Sequence, residues 1–278
     1  MDITKENCYN YHRNIPYEKL TLADDFMFFK VMQNEKLCKE LLEIILGVEI
    51  EKIVYNEGQK VFKDTFDGKS VRLDVYLKDA NHTVYDLEMQ TTHTKELPKR
   101  TRYYHSIIDR GQLKAGKTYN DLTDSYVIFI CTFDLFGLGI AKYSFESICE
   151  ENKKLHLQDG HHTIFINAEG ITNNKKLKEF LDYLQKGIVS NSPFVKELDD
   201  AVKNAAVNAE WKEEYEMLVA REQVLVAQGR EEGRSEGRAE MYKSILTMIK
   251  KGLISLNDVL STIQDKEDFQ KWLNEQEK

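Results

Sequence analysis

Residues 70–78, SVRLDVYLK, and residues 82–91, HTVYDLEMQT, decide the fold. Val71, Leu73, Val75 and Leu77 fall on one side of the first stretch, and Arg72, Asp74 and Tyr76 on the other. In the second, Leu87 and Met89 point one way and Asp86, Glu88 and Gln90 the other. A repeat of two is the signature of a β-strand with unlike faces. Asp79, Ala80 and Asn81 supply turn chemistry between the two, so they are expected to pair as a hairpin.

Upstream, Leu22, Phe26, Phe29, Leu37, Leu41, Leu42 and Ile45 recur at helical spacing, and Gly47 marks a stop. Thr21 or Asp24 is placed to cap the start, and a break near Gln33 and Asn34 divides the run into two helices. Residues 50–62 form a weaker strand candidate. Downstream, residues 99–114 read as a helix ended by Gly116. Residues 126–133, YVIFICTF, are a continuous apolar run of the kind that forms a strand buried on both faces. Short strands are expected at 142–145 and 163–167, and a helix over 174–185. This order gives an α/β core.

From Pro193 onward only helix formers and charges follow, and the pattern predicts one long helix from about 194 to 250. Its centre reads GREEGRSEGRAE, with Gly229, Gly233 and Gly237 four residues apart. Each interior glycine costs a helix about 1 kcal/mol against alanine. In register they form either a bare strip for close approach of a second helix or a flexible charged linker. Residues 241–251 and 256–272 look like short amphipathic helices.

Composition sets the outer limits. With 278 residues, 41% hydrophobic and 31% charged, the chain suits one sizeable domain and an added module. No apolar run approaches the roughly 20 residues that span a bilayer, and the N-terminal stretch lacks a signal-peptide pattern, so a cytoplasmic protein with no membrane contact is expected. Cys8, Cys38, Cys131 and Cys149 lack metal-site spacing and read as reduced thiols. A net charge of −8 excludes coating of nucleic acid by electrostatics alone. Positive charge is concentrated at 95–117, which holds Lys95, Lys99, Arg100, Arg102, Arg110, Lys114 and Lys117 against Glu96 and Asp109. That stretch is a solvated helix face or a phosphate-contacting one.

Pairing of the two alternating stretches would bring Asp74 and Glu88 within reach of one cation. Two carboxylates, with the backbone carbonyl of Met89 as a third ligand, suit Mg²⁺ or Mn²⁺. Gln90 shares the face of Glu88 and could orient an attacking water, and Asp86 is a reserve ligand. Acidic residues on one face of a strand are also common on ordinary solvated sheets.

The spacing Asp74-x13-Glu88-x-Gln90 resembles the D…ExK core of PD-(D/E)XK nucleases, with glutamine where lysine is usual. DDFMFFKVM (24–32), VRLDVYLKD (71–79), DLEMQ (86–90), LPKRTRYYHSIIDRGQLKAGKTY (97–119) and SYVIFICTFDLFG (125–137) resemble one branch, the PD-(D/E)XK nuclease family transposases, related to the recombination-promoting nuclease (Rpn) proteins. The resemblance implies a restriction-endonuclease-like α/β core, a mixed central sheet flanked by helices over 17–190, followed by a helical region over 191–278. It implies a Mg²⁺-dependent DNA endonuclease linked to a mobile element or to recombination. Asp74 and Glu88 would bind metal, Gln90 would take the lysine position, and Asp25 would be a further acid near the site. Lys99, Arg100, Arg102, Tyr103 and Tyr104 would contact the DNA backbone, although both tyrosines also suit a core. The glycine strip would pair two chains as a homodimer. The competing reading is a catalytically weak or inactive nuclease fold kept as a scaffold for DNA or a partner.

Overall fold

The computed structural model describes residues 15–62 and 71–276, and within those ranges the side chains of 55–62 and 71–73 are not described. Two compact units divide the chain after Tyr215.

The first unit begins with α1 (Asp25–Met32) and α2 (Glu35–Leu46). They part at Asn34, whose side chain accepts hydrogen bonds from the backbone N–H groups of Lys36 and Leu37 and so starts a new helix. Gly47 ends α2 at φ 76°, a left-handed conformation that glycine adopts without strain. Asp24 sits at the start of α1, but its carboxylate takes the Thr21 N–H at 2.7 Å and caps nothing in the helix.

Six strands follow: β1 (Ile53–Phe62), β2 (Val71–Asp79), β3 (Val84–Gln90), β4 (Ser125–Cys131), β5 (Lys142–Phe145) and β6 (His161–Asn167). They form one sheet in the order β1-β2-β3-β4-β6-β5. The expected hairpin is present, with Tyr76 opposite Asp86. Asp79 Oδ1 accepts from both Asn81 N and Thr83 N at 2.9 Å and holds its turn. β3, β4 and β6 run parallel, and β1, β2 and β5 pair antiparallel at either side. The parallel step from β3 to β4 needs a crossover, which α3 (Leu97–Gln112) provides.

α3 covers one face of the sheet. Leu97, Tyr104, Ile107 and Ile108 pack there on Tyr76, Val84, Val127, Phe129 and Phe165. Residues of the other parity, among them Val75, Leu77, Leu87, Ile128 and Ile166, are buried on the opposite face. That face carries the layer to which α2 belongs: Lys142, opposite Ile166 in the ladder, donates from Nζ to the Ile45 carbonyl at 2.7 Å. α4 (Lys175–Lys186) starts at Asn174, which caps it and also donates to the Ile44 carbonyl. α5 (Pro193–Ala206) packs against α1, α2 and α4.

Two expectations from sequence change here. β3 has no solvated face, because α3 lies over the side on which its acids project: Asp86 is 0% and Glu88 3% exposed. The single helix expected from about 194 is two, α5 and α6 (Ala209–Lys250). Asn208 separates them by accepting from Trp211 N at 3.0 Å, which starts a fresh N-terminus. The first turns of α6 belong to the first unit, where Tyr215 meets the rings of Tyr17 and Phe26, and Lys30 pairs with Glu214 at 2.5 Å.

In the second unit the end of α6 joins α7 (Leu256–Thr262) and α8 (Lys266–Gln276) around Tyr242, Val259 and Phe269. Residues 241–251 are therefore the end of a longer helix, and 256–272 divides in two. Cys38, Cys131 and Cys149 are free thiols, and Cys8 lies outside the described residues. No helix among the described residues is long and apolar enough to cross a membrane.

His105 on α3 is buried, with Nδ1 2.8 Å from the Ser125 hydroxyl and Nε2 3.1 Å from that of Thr163. Burial, aided by His161 and His162, lowers its pKa to about 4. The unfolded chain binds a proton here below about pH 6.5, and the folded one does not until about pH 4. Stability is therefore lost as pH falls through that window, by up to about 3 kcal/mol. Urea titrations from pH 7 to 4 should show a steeper loss for the parent than for His105→Gln; equal slopes would refute this account.

Candidate active site

At Val75 and Leu87 the regular pairing of β2 with β3 ends. Beyond it, side chains replace the ladder. Asp74 N donates to Glu88 Oε1 at 3.0 Å, and Met89 N donates to Asp74 Oδ2 at 3.3 Å. Each acid is held by the other strand's backbone, so both carboxylates are fixed where the strands part. Asp74 is partly exposed and Glu88 is buried beneath it.

Arg100 reaches into this corner from the first turn of α3. Nη2 donates to Glu88 Oε2 at 3.2 Å and to the Tyr104 hydroxyl at 2.7 Å, and Nη1 donates to Gln90 Oε1 at 3.0 Å. Its guanidinium lies over the rings of Tyr104 and Phe129, at 5.3 and 5.1 Å from their centroids. The planar fork explains how one side chain serves three partners, which a lysine ammonium could not match in geometry. Gln90 is held at its other end too, since Nε2 donates to the Thr92 carbonyl at 2.7 Å.

Asp86 lies on the same face one pair further in. Both of its oxygens are buried, and a proton on the Glu88 carboxyl can be shared with it. Burial pushes Asp74, Asp86 and Glu88 well above the usual carboxylate range. Mutual repulsion adds to this: Glu88 and Asp25 act on Asp74, Asp74 on Asp86, and Asp86 on Glu88. Arg100 opposes the shift at all three, but one guanidinium does not balance three carboxylates.

The other residues singled out from sequence divide into two groups. Asp25, exposed at the start of α1, is close enough to act on Asp74, and its Oδ1 accepts the Phe26 N–H at 2.7 Å. Lys99 and Arg102 are exposed on α3. Tyr104 is buried against Phe129, and Tyr103 is partly buried against the same cluster. The inward turn of Arg100 escaped sequence reading. Its one signal was the spacing of Arg100 and Tyr104, four apart on one helical face. His161 and His162 bind Asp109 and Asp124.

No three His, Cys, Asp or Glu side chains among the described residues are arranged as a ready metal cage. The chemistry of the donors nonetheless suits a hard divalent cation. Three carboxyl groups are crowded beside one guanidinium, and a cation that displaced their protons would relieve the repulsion among them.

A mixed sheet that parts at paired acids, with a helix laid across them, defines a nuclease-like α/β fold. The chain belongs to the PD-(D/E)XK nuclease family transposases, whose family model matches residues 23–243. No curated protein and no solved structure matches it. Membership makes this a nuclease-type protein linked to transposition, with DNA as the implied substrate.

Arg100→Ala would strip Glu88 and Gln90 of a shared donor. Because Arg100 is itself about one-third exposed, a loss of about 1–3 kcal/mol in folding stability is expected in chelator-treated protein. Arg100→Lys should recover less than half of it, since an ammonium cannot span both acceptors. An unchanged urea midpoint for Arg100→Ala would show that the pair contributes nothing.

Proposed function

We propose that the protein is a metal-dependent DNA endonuclease that hydrolyses phosphodiester bonds, acting within a mobile-element or recombination setting. The observation that carries this reading is the fixed exchange between Asp74 and Glu88 where the two strands part. Asp74 and Glu88 are the residues to hold Mg²⁺ or Mn²⁺, with the Met89 carbonyl as a third oxygen. A divalent cation held there would neutralise charge on the scissile phosphate and acidify the attacking water. Arg100 supplies fixed positive charge where lysine is absent and holds Glu88 and Gln90 in place. Gln90 keeps one amide hydrogen and one lone pair with which to orient water. Asp25 adds an acid at the open side of Asp74. Lys99 and Arg102 are free to meet phosphates by virtue of their exposure, whereas Tyr103 and Tyr104 support Arg100 and the core.

Supercoiled plasmid incubated with the protein and Mg²⁺ or Mn²⁺ should be nicked. Asp74→Ala and Glu88→Ala should each lower the rate at least a hundredfold while remaining folded. A folded parent that leaves plasmid intact with either metal would move the assignment to a DNA- or partner-binding scaffold.

α6 is the proposed pairing element. Open space lies where a Cβ would stand on Gly229, Gly233 and Gly237, so a second helix can approach along that strip. Light scattering should give twice the 32.5 kDa chain mass. A single-chain mass at micromolar concentration would refute pairing.

A further inference from the structure

The sheet ends at β5, and no strand among the described residues pairs with the outer side of it. Its register on β6 fixes which main-chain groups face outward. Ala141, just before β5, accepts at its carbonyl from Asn167 N at 2.9 Å, so it turns toward β6. Main-chain direction alternates along a strand. Tyr143 and Phe145 therefore turn to β6 as well, and Lys142, Ser144 and Glu146 present their N–H and C=O groups to the open edge. None of these outward groups has a partner among the described residues. Ser144 is exposed, and Phe145 is 45% exposed although its ring meets those of Phe136 and Phe165. An uncovered edge of this kind is a template for another strand. A protruding lysine commonly blocks such an edge, but Lys142 is drawn off to the Ile45 carbonyl.

The sequence at that edge is its own complement. Read about Ser144, the stretch Lys142-Tyr143-Ser144-Phe145-Glu146 has opposite charges at its ends, aromatic rings inside them and a small residue at the centre. Set antiparallel against a second copy, Ser144 meets Ser144, Tyr143 meets Phe145 and Lys142 meets Glu146. The outward-facing residues then fall on the hydrogen-bonded pairs, and the rings fall on the closer pairs between them. Registers centred on Tyr143 or Phe145 also join outward groups to outward groups, but they take lysine away from glutamate. Neither charge is unspent on its own chain, since Lys142 holds the Ile45 carbonyl and Glu146 holds His156 at 2.7 Å. The charges choose the register, and the unpaired main chain supplies the attraction. We infer that β5 is a docking edge for a second copy of this chain, which would carry one sheet through both. The candidate site lies at β2 and β3, with β4 and β6 between it and this edge, so pairing leaves it open. The contact uses no residue of α6, and it stands whether or not the site cleaves.

Hydrogen exchange read by mass spectrometry on the full chain tests this, because amides at 142–146 report the edge itself. The segment over 142–147 should exchange at least tenfold slower at about 100 μM protein than at about 1 μM. Glu146→Lys sets lysine opposite lysine, and Ser144→Pro removes the central N–H at an edge position where proline costs no ladder bond. Each should return the rest of the segment to fast exchange at both concentrations, while β4 amides stay protected and show that the variant is folded. Fast exchange in the parent at both concentrations would overturn the inference. So would slow exchange at both, which would mean that the same chain covers the edge. Concentration-dependent protection that survives either substitution would overturn it too.

Discussion

Glu88 is almost wholly buried, and much of the site follows from that. Its strand is covered on both faces, so a carboxylate there must be satisfied by protein atoms or give up its charge. One oxygen takes the backbone of Asp74, which draws the acidic end of β2 into a fixed place as the ladder opens. The other takes Arg100, which sets the register of α3 against the sheet and brings Gln90 and Tyr104 into the same network. Without the helix the acid would be solvated and mobile. With it, acids whose charge burial disfavours are held beside a partly exposed Asp74, where a cation would restore that charge.

Much of this could be read from the chain because it is encoded locally. The alternation around Asp74 and Glu88, the turn at Asp79 and the apolar run at Tyr126 each reflect contacts within a few residues or one hairpin. Asn34 and Asn174, both helix caps, lie where the periodicity breaks. Asn208 carried the same signal, but the uninterrupted helix formers around it outweighed the cap. What stayed hidden depends on distant packing. Nothing near β3 reveals that α3 will lie over its polar side, so the burial of Asp86 and Glu88 could not be read from the alternation. The direction of Arg100 followed from that burial, and a basic stretch read as one surface divides between an interior charge and exposed lysines.

Charge is distributed unevenly for the same reason. Buried acids cluster where the sheet parts, and Lys114 and Lys117 follow the far end of α3, so charge of each sign is local in a chain of net charge −8. His105, His161 and His162 stay out of this arrangement. His105 fills a hydroxyl-lined slot, His161 stacks on it, and His162 stacks on Tyr126.

The long α6 carries a different kind of consequence. Its 42 residues extend about 63 Å, further than a small domain is wide. Its three interior glycines fall near the middle, where no neighbouring atom supports them. Helical hydrogen bonds there have the least help from side chains or packing, so amide hydrogens near Gly233 should be the first in the rod to exchange with solvent. Left unpaired, such a rod behaves as a shaft with a shear pin, yielding at one known point while both ends keep their shape.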